Sequence, residues 1–156
     1  SKTHNIVCAV LTADCLPVFL CDEAGTVVGI VHAGWRGLAA GVIEQTVAEM
    51  RKSCIHIMAY LGPAIGPDYF EIGEEVRHSF IKQDKMSIHA FTPCDGINSK
   101  KWNANIFLLA RQRLAAAGVT KVYGHEECTY SNPDKFFSYR RDGNTGRMAG
   151  LIWLTK

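Results

Sequence analysis

No apolar run in this sequence approaches the roughly 20 residues that a membrane-spanning helix needs. Its start lacks the charged, apolar and small-residue blocks of a signal peptide. Net charge is also scarce: 17 basic and 15 acidic side chains leave +2 at pH 7 with histidine neutral. So small a balance gives no electrostatic footprint for nucleic acid or an anionic membrane. The six cysteines show no repeated close spacing, which excludes the framework of a secreted disulfide scaffold. Cys8, Cys21 and Cys54 lie in apolar runs and read as buried free thiols, so a reducing, cytoplasmic compartment is expected. No repeat, linker or low-complexity stretch divides the chain.

What is present is an ordinary globular composition, 47% hydrophobic and 21% charged. Its 156 residues read as one domain, 1–156. A chain of that size buries about 70% of its unfolded surface.

The segment from Thr12 to Gly37 organises the rest and reads as a β-hairpin. Val18 to Cys21 and Val27 to Val31 are short apolar runs, separated by the polar turn Asp22-Glu-Ala-Gly25. If those four residues are the turn, Cys21 faces Thr26 and Cys15 falls opposite His32. Directly paired side chains on one face have Cβ atoms roughly 4.5–5.5 Å apart, close enough for one metal ion between a thiolate and an imidazole. Pro17 works against a regular register, because a proline inside a strand implies an edge or a bulge.

Along the chain, Ile6 to Leu11 reads as a buried strand. A helix is expected from about Leu38 to Lys52, with Leu38, Val42, Val47 and Met50 as its apolar stripe. Ile55 to Leu61 returns as a strand, and Gly62 to Pro67 is irregular, with two glycines and two prolines. Glu74 to Lys82 reads as a short helix and Gln83 to Lys101 as a surface loop. Trp102, Ile106, Leu109, Ala110, Leu114 and Ala117 mark a helix that ends at Gly118. Lys121 to Tyr123 and Arg147 to Leu154 are strands. Strands and helices mix without strict alternation, which argues for the α+β class.

Thr12-Ala-Asp-Cys-Leu-Pro-Val18 followed by His32-Ala-Gly-Trp-Arg-Gly37 resembles the YfiH-like family, whose labels are multicopper polyphenol oxidase (laccase) domain and purine nucleoside phosphorylase. Leu61 to Gly66, Cys128-Thr-Tyr130, Phe136 to Gly143 and Thr145 to Met148 extend the resemblance over nearly the whole chain. It implies a mixed β-sandwich core with helices packed outside. It also implies phosphorolysis of adenosine, inosine, guanosine or methylthioadenosine, with adenosine deamination at the same site, and metal ligands at Cys15 and His32. Zinc suits a mixed Cys/His set with an open position, and could activate water for attack at purine C6. Copper, the metal of the laccase label, is the alternative. It normally needs many histidines, and the six here include no His-x-His pair. A Cys-His hydrolase or peptidoglycan-editing enzyme, with Cys15 as nucleophile and His32 as base, is a further alternative. So is a non-catalytic domain with structural zinc.

In the family resembled, a preceding segment carries a His-Gly motif that supplies a metal ligand. Ser1-Lys-Thr-His-Asn5 leads straight into a strand without an initiating methionine, and no glycine follows His4. An N-terminally truncated chain, lacking its third ligand and weakly active by itself, is therefore expected. Asp14 is either a backbone cap or a carboxylate that orients a metal-bound histidine, and it is the nearest candidate for acid–base catalysis. The full zinc-deaminase signature, His-x-Glu with a downstream Pro-Cys-x-x-Cys, is absent.

Arg36, Arg140, Arg141 and Arg147 lie in loops, where a planar guanidinium suits phosphate or plain solvation. Arg36 and Arg140 are the preferred substrate ligands. His125 and Cys128 have a spacing usable for metal, although the family implies that Cys-Thr forms a pocket wall. His56, His78 and His89 read as structural. Trp35, Tyr130, Phe137 and Tyr139 could stack a purine, although aromatic residues mostly fill cores. Asn103 and Asn105 stand where the family commonly has an acidic residue before a helix, and a capping role would survive that change.

Overall fold

Asp22 sets the register on which the fold is built. Its carboxylate accepts the amides of Thr26 and Val27 at 2.7 and 2.8 Å and the Thr26 hydroxyl at 2.6 Å. Asp22 and Val27 therefore close the turn, and residues 23–26 form it. The strands on either side are β2 (Leu16–Asp22) and β3 (Val28–Ala33), which pair antiparallel with Pro17 opposite His32 and Cys21 opposite Val28. The expected pairing of Cys15 with His32 is thus corrected: an Asx-type side chain moves the turn one residue along. The change keeps both residues on the same face, because side chains alternate with period two.

The structure is a computed structural model and describes residues 1–94 and 100–156. The other elements are β1 (Cys8–Thr12), α1 (Trp35–Ala39), α2 (Val42–Arg51), β4 (Ile57–Leu61), β5 (Glu71–Gly73) and α3 (Glu74–Ile81). They continue with β6 (Phe91–Pro93), β7 (Lys101–Ala104), α4 (Ile106–Ala116), β8 (Lys121–Tyr123), α5 (Tyr139–Asp142) and β9 (Met148–Ile152). A four-stranded sheet has the order β3-β2-β4-β8, with β8 parallel to β4. A separate antiparallel ribbon, β1-β9, packs against β3, and β5-β7-β6 form a third small sheet. Helices α2 and α4 cover the opposite face of the main sheet. The core runs from Leu16, Val18, Leu20 and Val31 on that face to Ile43, Val47, Phe107, Leu109 and Leu114 on the helices, all buried. Burying one such side chain contributes about 1.5–3 kcal/mol.

Several expectations are met. Lys121–Tyr123 is a strand, α3 occupies the expected span, and α4 ends at Gly118 with φ 75°. Others change. The Leu38–Lys52 helix is two helices, broken at Gly41, whose φ of 80° is left-handed. Ile43 takes the fully buried place in the stripe that Val42 had been given. The strand expected to be buried near the start has an exposed outer face, with Val7 and Leu11 more than half exposed, because the β1-β9 ribbon is covered on one side only. Cys8, Cys21 and Cys54 are free but half-buried.

Trp102 belongs to β7, and α4 starts at Asn105, whose side chain caps it by accepting the Leu108 amide at 2.9 Å. The expected loop 83–101 contains a 3-10 helix (Lys85–Ala90), β6 and the start of β7; residues 95–99 of it lie outside the described residues. Among the described residues, no helix is long and apolar enough to cross a membrane.

Candidate functional site

The open end of the β2-β3 hairpin, the start of α1 and the start of α5 meet around a cleft of about 420 Å³. Its lining includes Asp14, Cys15, His32, Arg36 and Arg140, so the expected metal ligands, the acid–base candidate and the two preferred substrate ligands converge there. Trp35, Phe70, Ile65, Ile106 and Tyr139 give it apolar walls.

Cys15 precedes β2 and His32 is the next-to-last residue of β3, on the same face and one diagonal step apart. Gly34 lies between them: a Cβ there would stand 2.9 Å from the Cys15 sulfur and 3.8 Å from the His32 Cδ2. The missing side chain lets the Cys15 thiol sit beside the His32 imidazole, and one thiol with one imidazole is a donor set that fits zinc. Among the described residues, no group of three or more His, Cys, Asp or Glu is placed to hold a metal. The set is thus two donors with room for others. Burial pushes the Cys15 thiol above its ordinary value, the Asp14 carboxylate adds to the rise, and the Arg147 guanidinium opposes both.

The arginines divide. Arg36 is exposed and stacks over the Trp35 ring at 4.5 Å, its guanidinium making no hydrogen bond or ion pair among the described residues. Arg140 donates to the Glu71 carbonyl at 2.8 Å and lies 5.7 Å from the Phe70 ring centre. Arg141 is structural: it donates to the carbonyls of Thr129, Tyr130 and Phe136 at 2.8–2.9 Å and pairs with Asp142 at 2.8 Å. Arg147 donates to the carbonyls of Thr145 and Gly146.

Trp35 and Tyr139 line the cleft. Tyr130 stacks instead on Tyr69 with ring centres 4.4 Å apart, and Phe137 packs against Gly146. His125 and Cys128 do not line the cleft. The Cys128 sulfur accepts the Gly66 amide at 3.1 Å; burial alone would raise this thiol, but donors from Ser131, Gly66 and Tyr130 outweigh it and lower it. The Cys128-Thr129 segment therefore braces the wall from behind, through the Ala64–Cys128 bridge, rather than forming it. Phe70, Ile65 and Ile106 were missed because an apolar residue in a sequence reads as core; the irregular Gly62–Pro67 loop leading to Phe70 was the available signal.

The same fold and motifs occur in known proteins. The profile of the family described as multi-copper polyphenol oxidoreductase laccase matches residues 1–155, and the chain belongs to this family. An Escherichia coli K12 relative named purine nucleoside phosphorylase YfiH is 53% identical over 154 residues, covering 99% of this chain and 62% of that protein. A Pseudomonas aeruginosa relative, also named a purine nucleoside phosphorylase, is 48% identical over 154 residues, with coverages of 99% and 63%. Among solved structures, a Neisseria meningitidis protein matches with a TM-score of 0.92 at 51% identity, over 99% of this chain and 63% of that one. A Bacillus licheniformis hypothetical protein YfiH matches with the same TM-score, 0.92, at 31% identity, over 99% and 60%. The fold is the YfiH-like α+β fold that the motifs implied. The chain spans about three-fifths of the length of the curated relatives it matches.

Proposed function

We propose that this chain carries the main part of the active site of a zinc-dependent purine nucleoside phosphorylase that also deaminates adenosine. The observation that carries the reading is the convergence of Cys15, His32, Arg36 and Arg140 on one cleft with aromatic walls. Substrates in this reading are inorganic phosphate and adenosine, inosine, guanosine or methylthioadenosine. The compartment is the cytoplasm, and nucleic acid and membrane are not partners. Residues 1–156 form most of a single domain. A segment preceding residue 1 supplies the third metal ligand, a histidine, as the resemblance implies.

Cys15 and His32 would hold the metal, which when bound supplies a Lewis acid and an activated water near neutral pH. Trp35, Phe70 and Tyr139 offer apolar faces on which a purine ring buries area and excludes water from the reacting centre. Arg36 and Arg140, the cleft's two guanidiniums, would grip a phosphate by charge-assisted hydrogen bonds and present it to the ribose C1′. Holding both reactants in one cleft turns a bimolecular encounter into a positioned one. The copper-dependent polyphenol oxidation in the family's description calls for several imidazoles. His32 is the one histidine lining the cleft among the described residues, which favours the phosphorylase reading.

The test is steady-state turnover of adenosine with and without phosphate, with adenine, inosine and hypoxanthine separated by chromatography. It is run on the 156-residue chain and on a form extended at its N terminus by the family's preceding segment. Base release that depends on phosphate is expected, stronger in the extended form. Base release without phosphate would overturn phosphorolysis.

A further inference from the structure

Asp14 stands at the corner between β1 and β2 with φ 85°, a left-handed conformation that Asp and Asn tolerate better than most residues. It is 8% exposed. Its Oδ1 accepts the hydroxyl of the fully buried Thr129 at 2.6 Å, and its Oδ2 accepts the backbone amide of Arg140 at 2.6 Å. Its carbonyl accepts the Ile65 amide at 3.0 Å. Three segments remote in sequence thus meet on one residue, and Ile65 and Arg140 are themselves cleft residues. The next residue along is Cys15. One side chain therefore joins the wall that carries the thiol to the wall that carries the guanidinium.

We infer that Asp14 is a positioning residue: its carboxylate clamps Thr129 and the start of α5 to the Cys15 corner and so fixes Arg140 and Tyr139 relative to Cys15 and His32. The inference assigns Asp14 a role other than acid–base catalysis and rests on the proposed function only for its kinetic readout. Both carboxylate oxygens are held by short bonds inside the wall. Each oxygen keeps a second lone pair, so an acid–base role, which needs an oxygen within about 2.6–3.2 Å of the atom that carries the proton, is separated from the clamp by the substitutions below. Ser138, fully buried, caps the next amide of the same helix by accepting from Arg141 at 3.2 Å. The Arg140 amide is left to Asp14.

Asparagine separates the two roles. Its Oδ1 can accept the Arg140 amide while its Nδ2 donates to the Thr129 hydroxyl oxygen, which can act as acceptor. It also suits the positive φ. Glycine suits that φ but has no clamp. Asp14→Asn is expected to keep kcat and the phosphate KM within about threefold of wild type, whereas Asp14→Gly raises the phosphate KM by about tenfold or more with a smaller fall in kcat. Thr129→Val cuts one arm, raises the same KM less, and serves if the glycine variant fails to fold. A fall in kcat of about a hundredfold or more in Asp14→Asn at unchanged KM is the signature of a lost acid or base and would overturn the inference.

Hydrogen exchange of the Arg140 amide gives a reading independent of activity. Protection in wild type and Asp14→Asn, with loss in Asp14→Gly, is expected. Equal protection in all three would reject the clamp, whether or not phosphorolysis is found.

Discussion

The Cys15 sulfur fills the space where Gly34 has no side chain: a Cβ on Gly34 would lie 2.9 Å from it. Gly34 has φ −68° and ψ 162°, an extended conformation open to any residue, so its backbone does not require glycine. The approach of the thiol does. Gly34→Ala is therefore expected to fold, to push the Cys15 side chain off its position beside His32, and to lower zinc affinity by about tenfold or more, in the range seen when groups that orient metal ligands are lost. Zinc titration against a competing chelator measures it, with Cys15→Ala as the floor. Unchanged affinity in Gly34→Ala would mean that the thiol can move away without cost, and unchanged zinc content in Cys15→Ala would remove it from the ligand set.

Local pattern made much of this molecule legible. The apolar period of α4 with its terminal glycine, the proline- and glycine-broken loop at 62–67, and the small-residue motifs around Cys15 and His32 are all short-range signals, and each describes what the chain does there. What stayed hidden depends on side chains acting at a distance. Asp22 looked like one more turn residue, yet its three accepted hydrogen bonds decide where the turn closes. Gly41 falls inside the expected Leu38–Lys52 helix, yet its left-handed φ splits it. The Ile6–Leu11 run looked buried because hydropathy counts residues, not the layers that cover them. Thr129 and Asp14 are 115 residues apart, and no periodicity joins them.

Asp22 should also be visible in the pH dependence of stability. Burial would raise its carboxyl, but the hydrogen bonds from Thr26 and Val27 together outweigh burial and hold it below its ordinary value. A folded pKa below the unfolded value of about 3.9 contributes stability above that pH, lost as pH falls through the lower folded value. Asp22→Ala, which strands buried donors, should cost about 1–3 kcal/mol at neutral pH. The gap between wild type and Asp22→Asn should be constant above about pH 5 and shrink as the pH drops below about 4. Urea unfolding from pH 7 to pH 3 checks both, and a gap that widens on acidification would reverse the assignment.

Arg36 offers the sharpest separation between the two reactions proposed for the cleft. Its guanidinium is stacked on Trp35 at 4.5 Å and otherwise unengaged among the described residues, so it is oriented yet available. Lysine keeps the charge and loses both the planar fork and the stacking geometry. If Arg36 grips phosphate, Arg36→Lys should raise the phosphate KM of adenosine phosphorolysis by about tenfold, the scale of one charge-assisted hydrogen bond of about 1.5–3 kcal/mol. Deamination of adenosine, which consumes water and no phosphate, should fall by less than about threefold. Only phosphorolysis uses the anion as nucleophile, so only its KM carries the lost contact. Equal losses in both reactions would place Arg36 in purine binding or in support of α1, and no loss in either would leave it a surface residue. Arg36→Ala extends the series: removing charge as well as shape should raise the same KM further while the melting temperature stays within a few degrees of wild type, because an exposed side chain without hydrogen bonds contributes little to stability, about 0.5 kcal/mol or less.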